Sequence, residues 1–295
     1  MSVSDGTGNI PEAAVVIVNY FKAKRLLEGL HSLGRQSVAG QISVAVVDNS
    51  CDAEERELLS GSADRASFEL IETKENVGYT RGCNIGAAAL MPARYVVLCN
   101  PDIAWDDPDT LRKLIDIADA NPSVGMLAPL QYSDDGAMVE ISRTFPNLIG
   151  QISRRLGLRP TGEFHLTNPL LTQRGSSLID IDWVQSSCVL IRRSLWEQIG
   201  GLDERYFLFM ADVDLGRLAW QAGFRVSVTS AAKVRADGIR ASSGGLRTLL
   251  TSRAQRSHVM DSIKFYLSNG PRKIRRDRLR LSPDKTSAKR TVDYC

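Results

Sequence analysis

Short apolar runs alternate with helix-like stretches along the first 130 residues of the chain. Ala13 to Val18 is a continuous apolar run rich in β-branched residues, which is typical of a strand buried on both faces, and Ile42 to Val47 and Tyr95 to Cys99 are further predicted strands. Residues 26–33 and 111–118 repeat apolar side chains at the spacing of one helix face. Strands that alternate with helices predict an α/β fold with a mostly parallel sheet.

Weaker signals extend this pattern toward the C-terminus. The further predicted elements are strands at Phe68 to Ile71 and Val124 to Ala128, a strand-like stretch from Asp182 to Ile191, helices from Arg192 to Gly200 and from Asp212 to Ala222, a strand at Phe224 to Val228, and a basic helix within residues 246–267. Residues 131–180 are irregular, with Gly, Pro, Ser and Arg throughout, and we interpret them as an insertion or connecting lobe.

Polar residues gather where the predicted strands end. They are Asn19, Asp48, Asn49, Asn100 and Asp102. In an open parallel sheet, ligands bind beyond the carboxyl ends of the strands. One polar residue at such a position is expected by chance, because every strand must end somewhere. Several together favour a ligand site at this edge of the sheet.

Charge is divided unevenly along the chain. The 295 residues carry 37 Lys and Arg against 34 Asp and Glu, a formal net charge of +3. Residues 1–237 hold 23 basic and 30 acidic side chains, a charge of −7, whereas residues 238–295 hold 14 and 4, a charge of +10. The acidic body argues against nucleic acid as a partner. The basic tail is either merely solvated or attracted to an anionic membrane surface.

Composition narrows the class of protein further. No run of about 18 apolar residues is present, and the polar N-terminus lacks the apolar stretch of a signal peptide, so we expect a cytoplasmic protein without a membrane-spanning helix. The five cysteines are scattered and form no CxxC pair, which indicates neither a zinc site nor a disulfide framework.

A glycine-rich segment from Asn76 to Gly86 follows the third predicted strand. Gly78, Gly82 and Gly86 permit tight turns and a close approach of the backbone to a ligand, and Arg81 can add charge-assisted bonds to a diphosphate. The spacing is neither the dinucleotide-binding GxGxxG nor a Walker A loop. Such turns also connect elements without binding anything, so this segment alone leaves both interpretations open.

Three acidic residues admit both a structural and a chemical interpretation. Asp102 ends an Asn-Pro-Asp segment after a buried strand, where a carboxylate can hold Mg²⁺ or Mn²⁺ or merely form a turn or helix cap. Asp212 and Asp214 lie at a predicted helix start after an aromatic-rich loop. There a carboxylate can cap the helix or act as a general base, and the spacing does not decide between them.

In their order and spacing, these segments resemble glycosyltransferase family 2, whose members have the GT-A fold. The matching segments are VVIVNY, VVDNS, NVGYTRGCNIG, YVVLCNPD, DWVQSSCVLIRRS, IGGLDERYFLFMADVDL and AGFRV, within about residues 13–230. Each is moderately specific alone, and the ordered set is highly specific. Within the family, NPD, SRTFP and GGLDERYF resemble bacterial rhamnosyltransferase-like members, which build cell-wall or surface-polysaccharide linkers on lipid carriers.

The resemblance implies a role for each candidate residue. The implied donor-binding residues are Asn19, Tyr20 and Asp48 around the nucleoside, and Asn76, Gly78, Arg81 and Asn84 around the ribose and diphosphate. Asp102 would also bind the Mg²⁺ or Mn²⁺ ion. Trp183 and Asp214 would line the sugar and acceptor pocket. Asp212 would be the catalytic base.

The implied reaction is inverting glycosyl transfer from a nucleotide-diphosphate sugar to a hydroxyl of a lipid-linked or polysaccharide acceptor. Asp212 would take the hydroxyl proton while the oxygen attacks the anomeric carbon and the nucleoside diphosphate leaves from the opposite face. The candidate donors are dTDP-rhamnose and, as the alternative, a UDP-hexose. The enzyme would lie in the cytoplasm, peripheral on the inner face of the membrane.

The same resemblance divides the chain into four parts. They are a flexible N-terminus (1–12), a GT-A catalytic domain with a Rossmann-like, mostly parallel sheet (13–237), a C-terminal helical extension (238–270) and a basic, disordered tail (271–295). The extension would either pack on the catalytic domain or form an oligomer contact.

Two positions depart from the family pattern. The family usually has Glu where this chain has Ala211, and many members carry His near the position of Ala236, where the adjacent Asp237 is a candidate substitute. These departures leave open a degenerate domain that binds nucleotide sugar or a partner without turnover. A nucleotidyltransferase is disfavoured, because its glycine-rich loop should directly follow the first strand.

Overall fold

The computed structural model describes residues 10–146, 177–237, 253–270 and 274. Most of the predicted lobe at 131–180, the first nine residues and nearly all of the predicted basic tail lie outside these ranges.

The described strands and helices follow the predicted alternation closely. The strands are β1 (Ala13–Asn19), β2 (Ile42–Asp48), β3 (Glu69–Glu72), β4 (Tyr95–Cys99), β5 (Val124–Ser133), β6 (Met138–Val139), β7 (Ser142–Arg143), β8 (Leu178–Asp180), β9 (Trp183–Val184), β10 (Cys188–Arg192) and β11 (Arg225–Ala236). The helices are α1 (Ala23–Leu33), α2 (Ala53–Ala66), α3 (Tyr79–Ala89), α4 (Thr110–Ala120), α5 (Arg193–Ile199), α6 (Ala211–Gln221) and α7 (Arg253–Asn269), with a 3₁₀ turn at Ala39–Gln41.

A nine-stranded sheet organises these elements. Its order is β3-β2-β1-β4-β10-β5-β11-β8, and β6 pairs with β5 beside this path. The β3-β2-β1-β4 half and the β5-β11 pair are parallel, whereas β10 runs antiparallel between β4 and β5. The predicted mostly parallel α/β sheet is therefore confirmed.

The continuous apolar runs are explained by a core on each face of the sheet. Along β1, Val16 and Val18 pack in one core with α3, whereas Val15 and Ile17 pack in the other with α1 and α4. Because successive strand side chains point to opposite faces, a strand covered on both sides must be apolar throughout.

Three elements differ from the sequence pattern. β11 continues to Ala236 because a register shift between Thr229 and Lys233 lets it resume pairing with β5. The stretch from Asp182 to Ile191 is divided between β9 and β10. The hydrophobic pattern does not predict α2. Among the residues of this helix whose burial is described, Leu59 is the one that is buried, so the helix shows no apolar face in its sequence.

Helix α7 packs on the same side of the sheet as α6, which is one of the two arrangements expected for the C-terminal extension. The buried Phe265 lies beside Tyr206, with 6.4 Å between the ring centroids. Among the described helices, none has both the length and the apolarity to cross a membrane.

Candidate active site

The carboxyl ends of β1 and β2 meet at a buried polar cluster. Asn19 and Asp48 lie side by side in the parallel register, and the Asn19 Nδ2 donates to Asp48 Oδ1 at 3.0 Å. Asn19 Nδ2 also donates to Glu55 Oε2 at 2.8 Å, and the Ser50 backbone N–H donates to Asp48 Oδ1 at 3.0 Å. This network fixes the turn that follows β1. The predicted nucleoside-binding residues are thus brought together, although Asn19 and Asp48 are largely buried.

Two exposed aromatic residues project from the same turn. Tyr20 and Phe21 are about half exposed, and their rings make an edge-to-face contact with centroids 4.8 Å apart. Phe21 has a left-handed backbone with φ of 55°, held by its N–H bond to Ser50 Oγ at 2.9 Å. Strained backbone is found disproportionately at functional sites, and an exposed aromatic face here is available to a planar ligand group.

The glycine-rich segment forms the turn into α3, and its glycines approach the protein itself. A Cβ on Gly86 would lie 2.5 Å from Val16 Cγ1, and one on Gly78 would lie 2.6 Å from the carbonyl oxygen of Phe207. Gly78 has φ of +87°, and its N–H donates to Asn76 Oδ1 at 3.0 Å. These glycines therefore seat α3 against β1 and the turn against the loop before α6.

The other two residues predicted to contact the ribose and diphosphate differ in their exposure to solvent and in their bonding. Arg81 is exposed, and its Nε lies 4.0 Å from Glu204 Oε2. Asn84 is satisfied at both ends by the 202–204 segment, since its Oδ1 accepts from the Leu202 N–H and its Nδ2 donates to the Leu202 carbonyl, each at 2.9 Å. In this conformation Asn84 tethers the 202–204 segment, and its contact with the ribose and diphosphate stays a prediction.

A pair of carboxylates meets at the end of β4 and β11. An isolated bridge between Ala104 and Arg235 brings the Asp102 turn beside the end of β11. The Lys22 ammonium lies 2.5 Å from Asp237 Oδ2 and 3.9 Å from Asp102 Oδ2. Burial and the neighbouring Asp237 raise the pKa of Asp102 to about 6, while Lys22 lowers it. Asp237 thus supplies a carboxylate next to the position where the family often has His.

Asp212 occupies the first turn of α6 and faces Ser186. The Ser186 Oγ donates to Asp212 Oδ1 at 2.5 Å. Burial raises the pKa of Asp212 to about 6, and the Ser186 bond and the charge of Arg143 partly offset this rise. The Tyr79 hydroxyl, from the first residue of α3, donates to the Ser186 carbonyl at 3.1 Å. The candidate base is therefore joined to the glycine-rich turn through a single residue.

The two predicted acceptor-pocket residues are both buried. Trp183 packs on α6, its Nε1 donates to the Thr144 carbonyl at 3.0 Å, and Arg143 lies over its ring. Asp214 is 1% exposed, and its Oδ1 lies 2.7 Å from the Arg217 guanidinium. The buried ion pair gives Asp214 a packing role in this conformation, and its place in the sugar and acceptor pocket stays a prediction.

Several residues of this region are not evident from the sequence. Lys22 and Ser186 reach the site from positions that no acidic or glycine-rich motif marks. A third such residue is Asp261 of α7. The sequence does mark it indirectly, because it is the one acidic residue in this helix.

The architecture is that of a GT-A glycosyltransferase: polar groups lie at the carboxyl edge of the parallel strands, and a partly buried carboxylate lies in the first turn of α6, where it is bonded to Ser186. A family model described as "Glycosyltransferase like family 2" matches residues 11–256. The chain belongs to this family, and it is a glycosyltransferase.

The relatives with similar sequences transfer different sugars. The chain is 32% identical over 227 residues, 71% of each chain, to an N-acetylglucosaminyl-diphospho-decaprenol L-rhamnosyltransferase of Mycobacterium tuberculosis. It is 26% identical over 208 residues, 70% of this chain and 60% of the relative, to the low-salt glycan biosynthesis hexosyltransferase Agl10 of Haloferax volcanii.

A solved structure confirms the fold. The mannosyltransferase PcManGT of Pyrobaculum calidifontis, in complex with GDP-mannose and Mn²⁺, aligns with a TM-score of 0.57 at 14% identity. The alignment covers 92% of this chain and 79% of that one.

Proposed function

We propose that this glycosyltransferase moves a sugar, with rhamnose as the first candidate, from a nucleotide-diphosphate sugar to a hydroxyl of a lipid-linked acceptor. The observation that carries the proposal is the position of Asp212, whose carboxylate is joined through Ser186 to the turn that begins α3. The rhamnosyltransferase relative supports both the sugar and a polyprenyl-diphosphate acceptor. A UDP-hexose is the second candidate donor, since another relative is a hexosyltransferase.

The chemical role of Asp212 follows from its surroundings. With a pKa raised to about 6 by burial, the carboxylate is ionised at neutral pH and is a stronger base than an exposed aspartate. It takes the acceptor proton as the hydroxyl oxygen forms a bond to the anomeric carbon. The bond from that carbon to the diphosphate oxygen breaks on the opposite face, so the configuration inverts. The Ser186 hydroxyl keeps the carboxylate oriented throughout.

Asp102 and Asp237 fit a divalent cation. Mg²⁺ is usually held by one or two carboxylates, with substrate phosphates and water as the other ligands. No group of three His, Cys, Asp or Glu side chains assembles within the described residues. The Lys22 ammonium already places a cation beside both carboxylates. A bound Mg²⁺ or Mn²⁺ would offset the charge that develops on the leaving diphosphate.

The exposed face of α7 supports a position on the inner membrane surface. Met260, Ile263 and Leu267 are 53%, 48% and 83% exposed and recur at i, i+3 and i+7, which places them on one face. The chain that follows carries six basic and one acidic side chain within residues 271–280. An apolar face followed in the sequence by basic residues fits an anionic lipid bilayer, because each Lys or Arg near such a surface contributes about 1 kcal/mol.

A panel of nucleotide sugars tests the proposed function. Thermal shift with and without Mn²⁺ identifies the donor, and transfer is then measured on N-acetylglucosaminyl-diphospho-polyprenol. We expect dTDP-rhamnose to raise the melting temperature and to be consumed only when the acceptor is present. Stabilisation by a UDP-hexose would change the assigned sugar. Binding without transfer to any lipid or glycan acceptor would contradict the proposal and support a binding-only domain.

A further inference from the structure

A buried carboxylate from α7 holds the loop that precedes α6. Asp261 has no exposed surface, and its Oδ2 accepts the backbone N–H groups of Leu208 and Phe209, each at 3.0 Å. The Phe207 N–H is shared between the two carboxylate oxygens at 3.1 Å each. Three successive N–H groups thus converge on one side chain. We refer to residues 207–209 as the 207–209 loop.

The 207–209 loop connects both halves of the candidate active site. The Phe207 carbonyl accepts the Tyr79 N–H at 2.7 Å, at the start of the helix that follows the glycine-rich turn. At its other end, Met210 adopts a left-handed backbone with φ of 64°, and α6 with Asp212 begins directly after it. A displacement of the loop would therefore move Asp212 relative to the glycine-rich turn.

Other contacts from α7 reinforce this attachment. Lys264 Nζ donates to the Arg205 carbonyl at 2.6 Å and lies 3.5 Å from Asp261 Oδ1. The His258 ring lies 4.5 Å from that of Phe209, centroid to centroid. The Asp261 contacts differ from these because they satisfy three successive backbone donors of the 207–209 loop itself.

We propose that Asp261 is a positioning residue for glycosyl transfer, which holds the 207–209 loop so that Asp212 faces the donor. This inference rests on the proposed function for its effect on catalysis. The family model ends at residue 256, so the family match assigns Asp261 no role. Asp261 acts through the loop and does not itself contact the reacting groups.

Hydrogen exchange, which needs no substrate, tests whether Asp261 holds the 207–209 loop. In Asp261→Asn, one acceptor oxygen remains and an amide group with donors of its own faces the loop. We expect the amides of the 207–209 loop to exchange at least about 10-fold faster, and faster still in Asp261→Ala. Asp180→Asn is the matched control, since Asp180 accepts bonds from Arg225 and Ser227 and none from the loop or α7. Unchanged exchange in Asp261→Asn would overturn the inference.

The kinetics of Asp261→Asn, measured well below the melting temperature of the variant, test whether holding the loop matters for sugar transfer. We expect kcat to fall about 10- to 100-fold, since small misplacements of a reacting group have effects of this size, with the Kd for nucleoside diphosphate changed less than about 3-fold. Retained kcat together with a lower melting temperature would reduce Asp261 to an anchor for α7 and overturn the proposal. If the wild-type chain transfers no sugar, the proposed function fails, and the exchange experiment still decides whether Asp261 holds the loop.

Discussion

The hydroxyl of Ser186 donates to the carboxylate of Asp212 at 2.5 Å; this bond lowers the pKa of Asp212, but burial outweighs it and raises the pKa to about 6. Because only the ionised carboxylate accepts a proton, we expect kcat/KM to fall as the pH drops through about 6. Ser186→Ala removes the donor, so the pKa of Asp212 should rise and the acidic limb of the pH profile should move up by about 1 pH unit. A pH series of kcat/KM measures this.

Ser187→Ala is the matched control for that series. Its hydroxyl exchanges hydrogen bonds with Gln131 and makes none with Asp212. The acidic limb should therefore stay in place in this variant. An equal displacement in both variants, or none in Ser186→Ala, would contradict the assignment of that limb to Asp212.

The carboxylate pair at Asp102 and Asp237 leads to a prediction for metal binding. Asp237→Asn leaves a single carboxylate, so the affinity for Mn²⁺ in the presence of nucleoside diphosphate should fall by about 10-fold. Electron paramagnetic resonance measures free Mn²⁺ in such a titration. Asp106→Asn is the control, because Asp106 pairs with Arg235 at the same corner. Equal affinity in the Asp237 variant and its control would exclude Asp237 as a ligand.

Individual residues of the site were predictable only where a motif marks them. Asp102 and Asp212 follow from an acidic residue after a strand or at a helix start. Ser186 contacts a residue 26 positions away, and Lys22 contacts one 215 positions away. Such contacts depend on how the elements assemble, and residue type alone does not encode them.

At the scale of elements, the packing of α3 on β1 determines where the glycine-rich turn lies. In Gly86→Ala the added methyl group would meet Val16 at 2.5 Å and Val47 at 3.1 Å, so α3 must shift. We expect the free energy of unfolding to fall by about 1–3 kcal/mol, as for other overpacked sites. Urea denaturation measures the change.

Gly61→Ala in α2 is the matched substitution, since a methyl group there meets nothing within 4 Å. Replacing a helical glycine in open space should stabilise by up to about 1 kcal/mol. A stabilising Gly86→Ala would mean that this helix does not depend on close contact with β1.

Strands were easier to predict than their connections. β1 and β4 carry apolar runs, and β2 does so from Val44 to Val47, because both of their faces are covered there. The full length of β11 depends on a register shift, and α2 contributes little to the core, so neither leaves a clear periodic signal. Hydrophobic periodicity in a sequence arises from buried faces, so it does not predict elements that are irregular or mostly exposed.

For the whole molecule, the exposed face of α7 predicts binding to anionic lipid. Replacing Met260, Ile263 and Leu267 together by Ser should lower binding to vesicles containing phosphatidylglycerol by about 10-fold or more, because the apolar area is lost. Flotation measures the bound fraction. Ile10→Ser with Met91→Ser is the control, since both residues are also well exposed.

Equal flotation of the triple variant and the control would contradict a membrane role for this face. So would wild-type protein that binds neutral vesicles as well as anionic ones. A dimer that dissociates in the triple variant would reassign the face to a second copy of the chain.

The proposed mechanism requires Asp212 as the base of an inverting transfer. The direct measurement is the rate of sugar transfer to the lipid-linked acceptor by wild type, Asp212→Asn and the exposed control Asp116→Asn, all at saturating donor. We predict a loss of about 10²- to 10⁴-fold in kcat for Asp212→Asn alone. A rate for Asp212→Asn equal to that of the control would contradict the mechanism.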